Sequence, residues 1–349
     1  MILLKAAVLY GQDDIRYEET DIPQIEPDEI LVRVKATGIC GSDMPRILGT
    51  GARYYPIILG HEFSGEVVEI GNEVMDVSIG DRVSGAPLIP CHKCIDCSKG
   101  DYSQCKNYSF IGSRTSGSWA DYVKLPAINA VKLPDGVSFV EGAFMEPITV
   151  ALHGLFVMGF KGGYDVAILG VGTIGLLTLQ CAKALGARHI FAFDIDDERL
   201  DIAKEYGADI CINTGDEGFR EKALEYTNGR GFEMVVETAG VEFTEKLSLE
   251  LASNKGNVMF IGTPSKPISL EPKEFEYINR KELTVRGSWM SYSAPFPGRE
   301  WDLAAYYLQK GQIQVEKLID RRVPIEDMPK VVRDLATPGK VKGKIILED

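Results

Sequence analysis

The sequence predicts a two-domain α/β protein in which an irregular, β-rich domain precedes a doubly wound parallel sheet. Strands and helices alternate from about residue 150, a pattern typical of a parallel sheet with helices on both faces. A glycine-rich turn, Gly170-Val-Gly172-Thr-Ile-Gly175, joins the first of these strands directly to a helix. The chain has 349 residues, which is too long for one ordinary core and fits two domains.

Short runs of β-forming residues, broken by Gly, Pro and Asp, fill the chain up to about residue 134. This pattern predicts a mostly antiparallel β domain. The predicted strands are 5–10, 30–37, 65–70, 81–84 and 119–124.

The second part of the chain alternates between buried strands and helices. The predicted strands are 166–169, 189–194, 234–237, 257–261 and 283–286, and the predicted helices are 174–185, 198–206 and 244–252. The tail holds an amphipathic segment at 301–310 and a closing strand at 343–347, which we expect to return to the first domain. The short basic cluster at 340–344 is interpreted as a solvated turn. The predicted domains are therefore 1–150 with 289–349, and 151–288.

Composition excludes several classes of partner. The formal net charge of −13 argues against nucleic acids and anionic membranes, because both are bound by surplus Lys and Arg. The longest apolar run, 166–182, is interrupted by Gly and Thr and is shorter than the roughly 20 residues of a membrane-spanning helix. The N-terminal segment turns polar without a cleavage site for export, so we expect a cytoplasmic protein.

Four cysteines within fifteen residues, Cys91, Cys94, Cys97 and Cys105, predict a zinc site in a lobe formed by residues 88–108. Four thiolates fill the tetrahedron around the ion, so this zinc is expected to be structural rather than catalytic. Two disulfides and a thiol redox switch are the less favoured alternatives.

The glycine-rich turn predicts a dinucleotide site, because it follows a strand and opens a helix. Gly170 permits the tight turn, Gly172 permits close approach of a pyrophosphate and Gly175 permits close packing of helix and strand. Thr173 and Ile174 complete the turn at the helix N-terminus, which favours an anion. Asp194 ends the next strand, where a carboxylate accepts hydrogen bonds from a ribose and repels a 2′-phosphate, so NAD is favoured over NADP. Arg199 is expected to pack over the adenine. The alternative is a generic turn with a surface Asp.

Three further segments carry residue types that bind metals. They are Cys40-Gly-Ser42-Asp43, Gly60-His61-Glu62 and Glu146-Pro147. A site with three protein ligands keeps one position for a substrate oxygen. Spacing alone does not join these segments, because Cys40 and Glu146 are far apart in the sequence. Taken singly, a Cys or a His is more often a core residue.

Together with 80–83, the four-cysteine lobe and the glycine-rich turn, these segments resemble the zinc-dependent medium-chain alcohol and polyol dehydrogenases over essentially the whole chain. The resemblance implies a GroES-like catalytic domain, a Rossmann domain, and two zinc ions per chain. It implies a catalytic zinc held by Cys40, His61 and Glu146 between the domains, with Glu62 as an alternate or neighbouring ligand.

The resemblance also implies roles around this zinc. Asp43 would orient His61, and Ser42 would carry the proton of the substrate hydroxyl towards the cofactor. The zinc would act as a Lewis acid towards that hydroxyl while NAD accepts the hydride. Related enzymes often end the proton relay with a His shortly after this Ser-Asp pair. Here Pro45 follows Met44, so the relay beyond Ser42 is not defined.

Segments 45–47, 51–56, 110–114, 146–149 and 287–298 resemble the polyol-phosphate members of the family. This narrower resemblance implies oxidation of galactitol 1-phosphate to tagatose 6-phosphate. A phosphate bound to an acidic protein needs a local positive pocket, for which Arg46, Arg53 and Arg114 are candidates. Trp289 and Tyr292 are expected either to cover the polyol chain or to fill the domain interface.

Two alternatives remain open at this stage. One is a dehydrogenase for an unphosphorylated polyol or diol, such as sorbitol, L-iditol or butanediol, or for threonine. The other is an NAD-sensing zinc protein without turnover. The family resemblance further implies a homodimer or homotetramer.

Overall fold

The computed structural model describes residues 3–337 and 339–348, which form two compact units. Unit 1 consists of Met1–Glu146, Tyr292–Gln309 and Val315–Asp349. Unit 2 consists of Pro147–Ser291 and Lys310–Gln314. Within the described ranges, no helix is long and apolar enough to cross a membrane.

The elements of unit 1 are mostly short strands. The strands are β1 (Leu3–Gly11), β2 (Asp14–Asp21), β3 (Glu29–Gly38), β4 (Ile57–Ile58), β5 (Glu62–Ile70), β6 (Arg82–Gly85), β7 (Leu88–Ile89), β8 (Ser109–Phe110), β9 (Tyr122–Pro126) and β10 (Ala130–Lys132). The helices before the first unit boundary are α1 (Met44–Ile47), α2 (Ile95–Lys99) and α3 (Phe139–Ala143). The boundary itself falls within the next helix, α4 (Met145–Met158).

Unit 2 alternates strands with helices. Its strands are β11 (Asp165–Leu169), β12 (His189–Asp194), β13 (Ile210–Asn213), β14 (Phe232–Glu237), β15 (Ala252–Phe260) and β16 (Thr284–Gly287). Its helices are α5 (Thr173–Ala184), α6 (Asp197–Glu205), α7 (Phe219–Glu225), α8 (Glu242–Leu251) and α9 (Pro272–Arg280). The tail adds α10 (Arg299–Gln309), β17 (Ile319–Val323), α11 (Met328–Leu335) and β18 (Lys344–Glu348).

The sheet of unit 2 is parallel throughout and has the order β13-β12-β11-β14-β15-β16. The chain winds outwards in both directions from the β11–β14 pair, so the carboxyl ends of these two strands form the topological switch point. Its core includes the aromatic rings of Phe191, Phe193 and Phe232, and the Phe232 ring contacts the other two. The predicted doubly wound sheet is therefore confirmed.

In unit 1, the central strand β3 pairs antiparallel with β5 on one side and with β18 on the other. Gly38, the last residue of β3, lies opposite Glu62 in β5 and opposite Ile346 in β18. The first residue of β5 and the start of the C-terminal strand consequently meet at the end of β3. The β-rich architecture predicted for this part of the fold is also confirmed.

Candidate functional site

The four-cysteine cluster lies in the loop between β7 and β8. The Sγ–Sγ distances are 4.0 Å for Cys91–Cys97, 3.5 Å for Cys94–Cys97 and 3.9 Å for Cys94–Cys105. Four thiolates bound at about 2.3 Å to one tetrahedral zinc ion stand roughly 3.8 Å from one another. The sulfur atoms therefore have the spacing of a closed zinc site.

The same distances exclude the disulfide alternative. A disulfide needs an S–S distance of about 2.05 Å, and every cysteine of the chain is free. The backbone N–H groups of Lys93 and Cys94 lower the pKa of Cys91 to about 6, which favours the thiolate that binds zinc.

A second cluster of metal-binding side chains lies at the end of β3. Ligand atoms of Cys40, His61 and Glu62 all lie within 4.8 Å of one another. His61 and Glu62 are buried and Cys40 is half-buried. Thiolate, imidazole and carboxylate are all zinc ligands, so the chemistry of this donor set fits a zinc ion.

Asp43 holds this cluster in place from the turn after Cys40. Its buried carboxylate accepts a hydrogen bond from the Cys40 backbone N–H at 3.2 Å. Asp43 Oδ1 lies 3.5 Å from His61 Nδ1, which makes no hydrogen bond within the described residues. Burial lowers the pKa of His61, but the charges of Asp43 and Cys40 outweigh burial and hold the pKa well above its usual value. Asp43 therefore lies where it can orient the imidazole.

Lys344 completes the cluster and was missed by sequence analysis. Its Nζ atom lies 2.6 Å from both carboxylate oxygens of Glu62 and donates a third hydrogen bond, of 3.3 Å, to the Ile39 carbonyl. Lys344 is only 6% exposed, so the predicted solvated turn is wrong at this residue. Burial alone would lower the pKa of Lys344, but Glu62 and Cys40 raise it above its usual value. The strand register explains the pair, because β5 and β18 flank the same end of β3.

Gly38 makes room for this ion pair. A Cβ atom at residue 38 would overlap Glu62 Oε2 and lie 3.2 Å from the Lys344 side chain. The glycine is therefore required by close approach of two side chains from neighbouring strands.

Glu146 is the third ligand that the family resemblance implies, with Glu62 as an alternate or neighbouring ligand. The structure brings Glu62, rather than Glu146, into the group of mutually close ligand atoms with Cys40 and His61. Glu146 is nevertheless an electrostatic neighbour of His61, Glu62 and Lys344, and burial of its carboxyl group raises its pKa to about 7. Glu62 takes the nearer place because it follows His61 directly and starts β5 opposite Gly38.

Ser42 lies exposed in the turn between Cys40 and Asp43. Arg46 Nη1 donates to the Ser42 carbonyl at 2.6 Å, to the Ser42 Oγ at 3.3 Å and to Asp43 Oδ1 at 3.3 Å. The guanidinium of Arg46 therefore donates hydrogen bonds to the turn that holds Cys40, a candidate zinc ligand, and Ser42, the predicted proton carrier.

The other predicted substrate residues have diverse surroundings. Arg53 is exposed and makes no hydrogen bond or ion pair with the described residues. Arg114 donates to the Tyr108 carbonyl at 3.0 Å and stacks on that ring at 3.7 Å from its centroid. Tyr292 is buried, and its hydroxyl accepts a hydrogen bond from the Leu88 backbone N–H. Tyr292 is consequently a core residue rather than a cover over a polyol, whereas Trp289, in unit 2, is exposed.

The glycine-rich turn lies at the switch point of unit 2. Gly170 has a φ of +87°, and a Cβ atom at Gly175 would overlap the Gly170 carbonyl, so both positions require glycine. A Cβ atom at Gly172 would contact nothing within 4 Å, so the backbone there is open to a ligand. Thr173 and Ile174 form the first turn of α5, where free N–H groups and the helix dipole favour an anion.

Asp194 ends β12 beside this turn and is largely buried. Its Oδ2 accepts from the Val171 backbone N–H at 2.8 Å, and its Oδ1 accepts from Ile195 at 2.8 Å and Asp196 at 3.1 Å. A carboxylate has about four acceptor positions, so one is left for a ribose hydroxyl. Arg199 is half-buried in α6, and its Nε atom has no partner within the described residues.

Comparisons with known proteins agree with this arrangement. Two family models match, "Alcohol dehydrogenase GroES-like domain" over residues 26–135 and "Zinc-binding dehydrogenase" over residues 173–305. Galactitol 1-phosphate 5-dehydrogenase of Escherichia coli is 43% identical over 342 residues, which cover 97% of this chain and 99% of that protein. L-threonine 3-dehydrogenase of Bacillus licheniformis is 34% identical over 345 residues, which cover 97% and 96%.

Two solved structures are also similar to this chain along its length. The crystal structure of galactitol-1-phosphate dehydrogenase from Escherichia coli matches with a TM-score of 0.95 at 41% identity, over 99% of this chain and 100% of that one. A zinc-binding dehydrogenase from Sinorhizobium meliloti, solved with NADP bound, matches with a TM-score of 0.90 at 34% identity over the full length of both chains.

Proposed function

Because the chain belongs to the zinc-binding, medium-chain alcohol dehydrogenases, a family of enzymes, we propose that it oxidises galactitol 1-phosphate to tagatose 6-phosphate with NAD. The observation that carries the reaction type is the cluster of Cys40, His61 and Glu62 within 4.8 Å at the end of β3. The substrate is supported by the 43% identity to galactitol 1-phosphate 5-dehydrogenase along 97% of the chain. Family membership removes the alternative of a sensing protein without turnover.

We propose two zinc ions per chain. Cys91, Cys94, Cys97 and Cys105 would hold a structural ion, and Cys40, His61 and Glu62 or Glu146 would hold a second ion. The second ion supplies a Lewis acid for the secondary hydroxyl of the substrate. The contacts of Asp43 and Lys344 support this assignment, because Lys344 fixes the Glu62 carboxylate and Asp43 lies 3.5 Å from His61 Nδ1, where it can orient the imidazole.

The proton of the substrate hydroxyl is proposed to leave through Ser42. This hydroxyl is exposed in the turn that carries Cys40, and Arg46 fixes the backbone of the turn at the Ser42 carbonyl. Since Pro45 cannot accept a proton, the proton passes from Ser42 to solvent water.

NAD is proposed as the hydride acceptor because of Asp194. Its carboxylate keeps one acceptor position for the adenosine ribose and places a negative charge where NADP carries its 2′-phosphate. Arg199 is proposed to lie over the adenine ring, and its unpartnered Nε atom supports a ligand-facing role.

Arg53 is the best candidate for recognition of the substrate phosphate. Arg46 and Arg114 already donate to protein carbonyls, whereas the guanidinium of Arg53 is exposed and uncommitted. A guanidinium binds phosphate through two parallel hydrogen bonds, and this local charge would offset the repulsion by a chain with a net charge of −13.

A second candidate function is the oxidation of L-threonine, a plain polyol or a diol, and the 34% identity to L-threonine 3-dehydrogenase supports it. The deciding experiment measures kcat/KM for galactitol 1-phosphate, galactitol, sorbitol, 2,3-butanediol and L-threonine, each with NAD and NADP. We expect galactitol 1-phosphate with NAD to exceed every other pair by at least about 100-fold. Equal values for galactitol and its phosphate would refute the proposed phosphate specificity.

We also propose that the enzyme is a homodimer or homotetramer. Edge strand β16 supports this proposal, since within the described residues it pairs only with β15 and is largely exposed. Light scattering coupled to size exclusion should give a mass of two or four times 38.4 kDa. A mass of one chain would refute the proposal.

A further inference from the structure

Glu237 is a fully buried carboxylic residue at the carboxyl end of β14, and the proposed reaction does not use it. Its Oε1 atom accepts hydrogen bonds from the Ala239 N–H at 2.8 Å, the Gly240 N–H at 2.8 Å and the Thr244 hydroxyl at 2.7 Å. Three donors on one oxygen fix the loop after β14 together with the first turn of α8; we call this segment, residues 238 to 244, the 238–244 loop. Burial of a carboxylic group is costly, and these three hydrogen bonds offset part of that cost.

Gly262 provides the space for this carboxylic group. A Cβ atom at residue 262 would overlap Glu237 Oε2, and that oxygen has no hydrogen-bond partner within the described residues. The hydrogen bonds of the Glu237 carboxyl group are therefore all made to the 238–244 loop.

The loop in turn contacts the glycine-rich turn. The Thr238 hydroxyl donates to the Gly170 carbonyl at 2.6 Å, and the Thr238 backbone N–H donates to the Leu169 carbonyl at 3.0 Å. A Cβ atom at Gly170 would lie 2.8 Å from the Ala239 methyl group, so the loop and the turn are in close contact.

One peptide unit of the turn is held at both ends. Its carbonyl, from Gly170, accepts from the Thr238 hydroxyl, and its N–H, from Val171, donates to Asp194 Oδ2 at 2.8 Å. Because a peptide unit is planar, bonds at its C=O and its N–H fix its rotation. The backbone direction is therefore fixed at the point where the following N–H groups, from Gly172 to Gly175, begin.

We propose that Glu237 and Thr238 are positioning residues for the dinucleotide, and that they act by locking the Gly170–Val171 peptide unit so that the following N–H groups stay aimed at the pyrophosphate. This inference rests on the proposed use of NAD. Neither residue is assigned a contact with the cofactor. Glu237 and Thr238 keep the anion-binding turn in its binding conformation, so the turn does not have to reorganise when the dinucleotide binds.

The test measures the Kd of NADH by fluorescence titration of the full-length, zinc-loaded protein. Thr238→Val removes the hydroxyl and keeps the shape of the side chain, so the Kd should rise roughly three- to tenfold, the effect of one typical hydrogen bond. Thr238→Ser keeps the hydroxyl and should stay within about twofold of wild type. In steady-state assays Thr238→Val should raise the KM for NAD and leave kcat within about twofold.

Glu237 is tested with a conservative and a disruptive variant. Glu237→Gln retains an acceptor oxygen for the loop and should bind NADH within about threefold of wild type, whereas Glu237→Ala should weaken binding more than Thr238→Val does. If Glu237→Ala fails to fold, the comparison of Thr238→Val with Thr238→Ser still tests the inference.

Thr227→Val is the matched control. Thr227 is also in unit 2, and its hydroxyl also bonds a backbone carbonyl, that of Leu224, but it is buried whereas Thr238 is half-buried, and it precedes β14 at the opposite end of the strand. The Thr227→Val variant should lose thermal stability and bind NADH with the wild-type Kd. Wild-type affinity in Thr238→Val, or an equal loss of affinity in Thr227→Val, would overturn the inference while leaving the proposed function intact. A wild-type protein that binds neither NADH nor NADPH would instead refute the proposed cofactor and this inference with it.

Discussion

Lys344 and Glu62 form a buried ion pair across 282 positions of sequence, with both carboxylate oxygens 2.6 Å from the ammonium nitrogen. The pair ties the C-terminal strand to the residue that follows His61. An unpaired carboxylate in this place would be strongly destabilising, so the two residues depend on each other.

We therefore expect Lys344→Met to lower the free energy of unfolding by about 3–5 kcal/mol, the usual effect of leaving one buried charge without its partner. Chemical denaturation followed by circular dichroism measures this loss. Glu62→Gln combined with Lys344→Met should recover more than half of it. If Lys344→Met alone were as stable as wild type, the result would contradict the pairing of Lys344 with Glu62.

Gly38 is expected to be essential for the same pair. Gly38→Ala places a methyl group against Glu62 Oε2 and should displace the carboxylate, with at least tenfold loss of kcat/KM. Gly41→Ala is the matched control, because a Cβ atom there contacts nothing within 4 Å. If the two variants have equal activity, crowding at residue 38 is not a constraint on the site.

Arg53→Gln should raise the KM for galactitol 1-phosphate roughly tenfold or more and leave kcat nearly unchanged, because hydrogen bonds to a charged group contribute about 1.5–3 kcal/mol. Arg16→Gln, at another exposed arginine of unit 1, is the control for net charge. An equal effect of both variants would show that the overall charge matters and that Arg53 has no specific role.

We expect Asp194 both to select NAD over NADP and to fix the geometry of the glycine-rich turn. Asp194→Asn keeps an acceptor for Val171 and removes the negative charge, so the ratio of kcat/KM for NAD over NADP should fall at least tenfold. Asp194→Ala also removes the bonds to three backbone N–H groups and should weaken both cofactors. An alanine variant that binds NADP as tightly as wild type binds NAD would contradict this double role.

Sequence patterns predicted the first strand and helix of unit 2 closely, because periodicity and the glycine-rich turn are local signals, but they did not predict β13, α7 or α9. The predicted strand 166–169 and helix 174–185 differ from β11 and α5 by one residue at each affected end. The four-cysteine cluster was predictable for the same reason, since its ligands lie within one loop.

The surroundings of the second cluster depend on strand register, which local patterns do not reveal. Lys344 was interpreted as part of a solvated turn, although three apolar residues, 345–347, follow it directly in the strand, and that contrast was the available signal. The nearer position of Glu62 relative to Glu146 follows from its pairing opposite Gly38, which only the sheet defines. Tyr292 was expected either to cover the polyol chain or to fill the domain interface, and it is buried in contact with Phe296 and Leu88.

The zinc content of wild type and of Cys40→Ser tests the central claim most directly, when it is measured by atomic emission together with turnover. We predict two zinc ions per wild-type chain, and one ion, no turnover and unchanged NADH binding for the variant. Cys211→Ser, at a cysteine outside both clusters, should retain two ions and full activity. One zinc ion in the wild-type chain, or turnover in Cys40→Ser, would contradict the account.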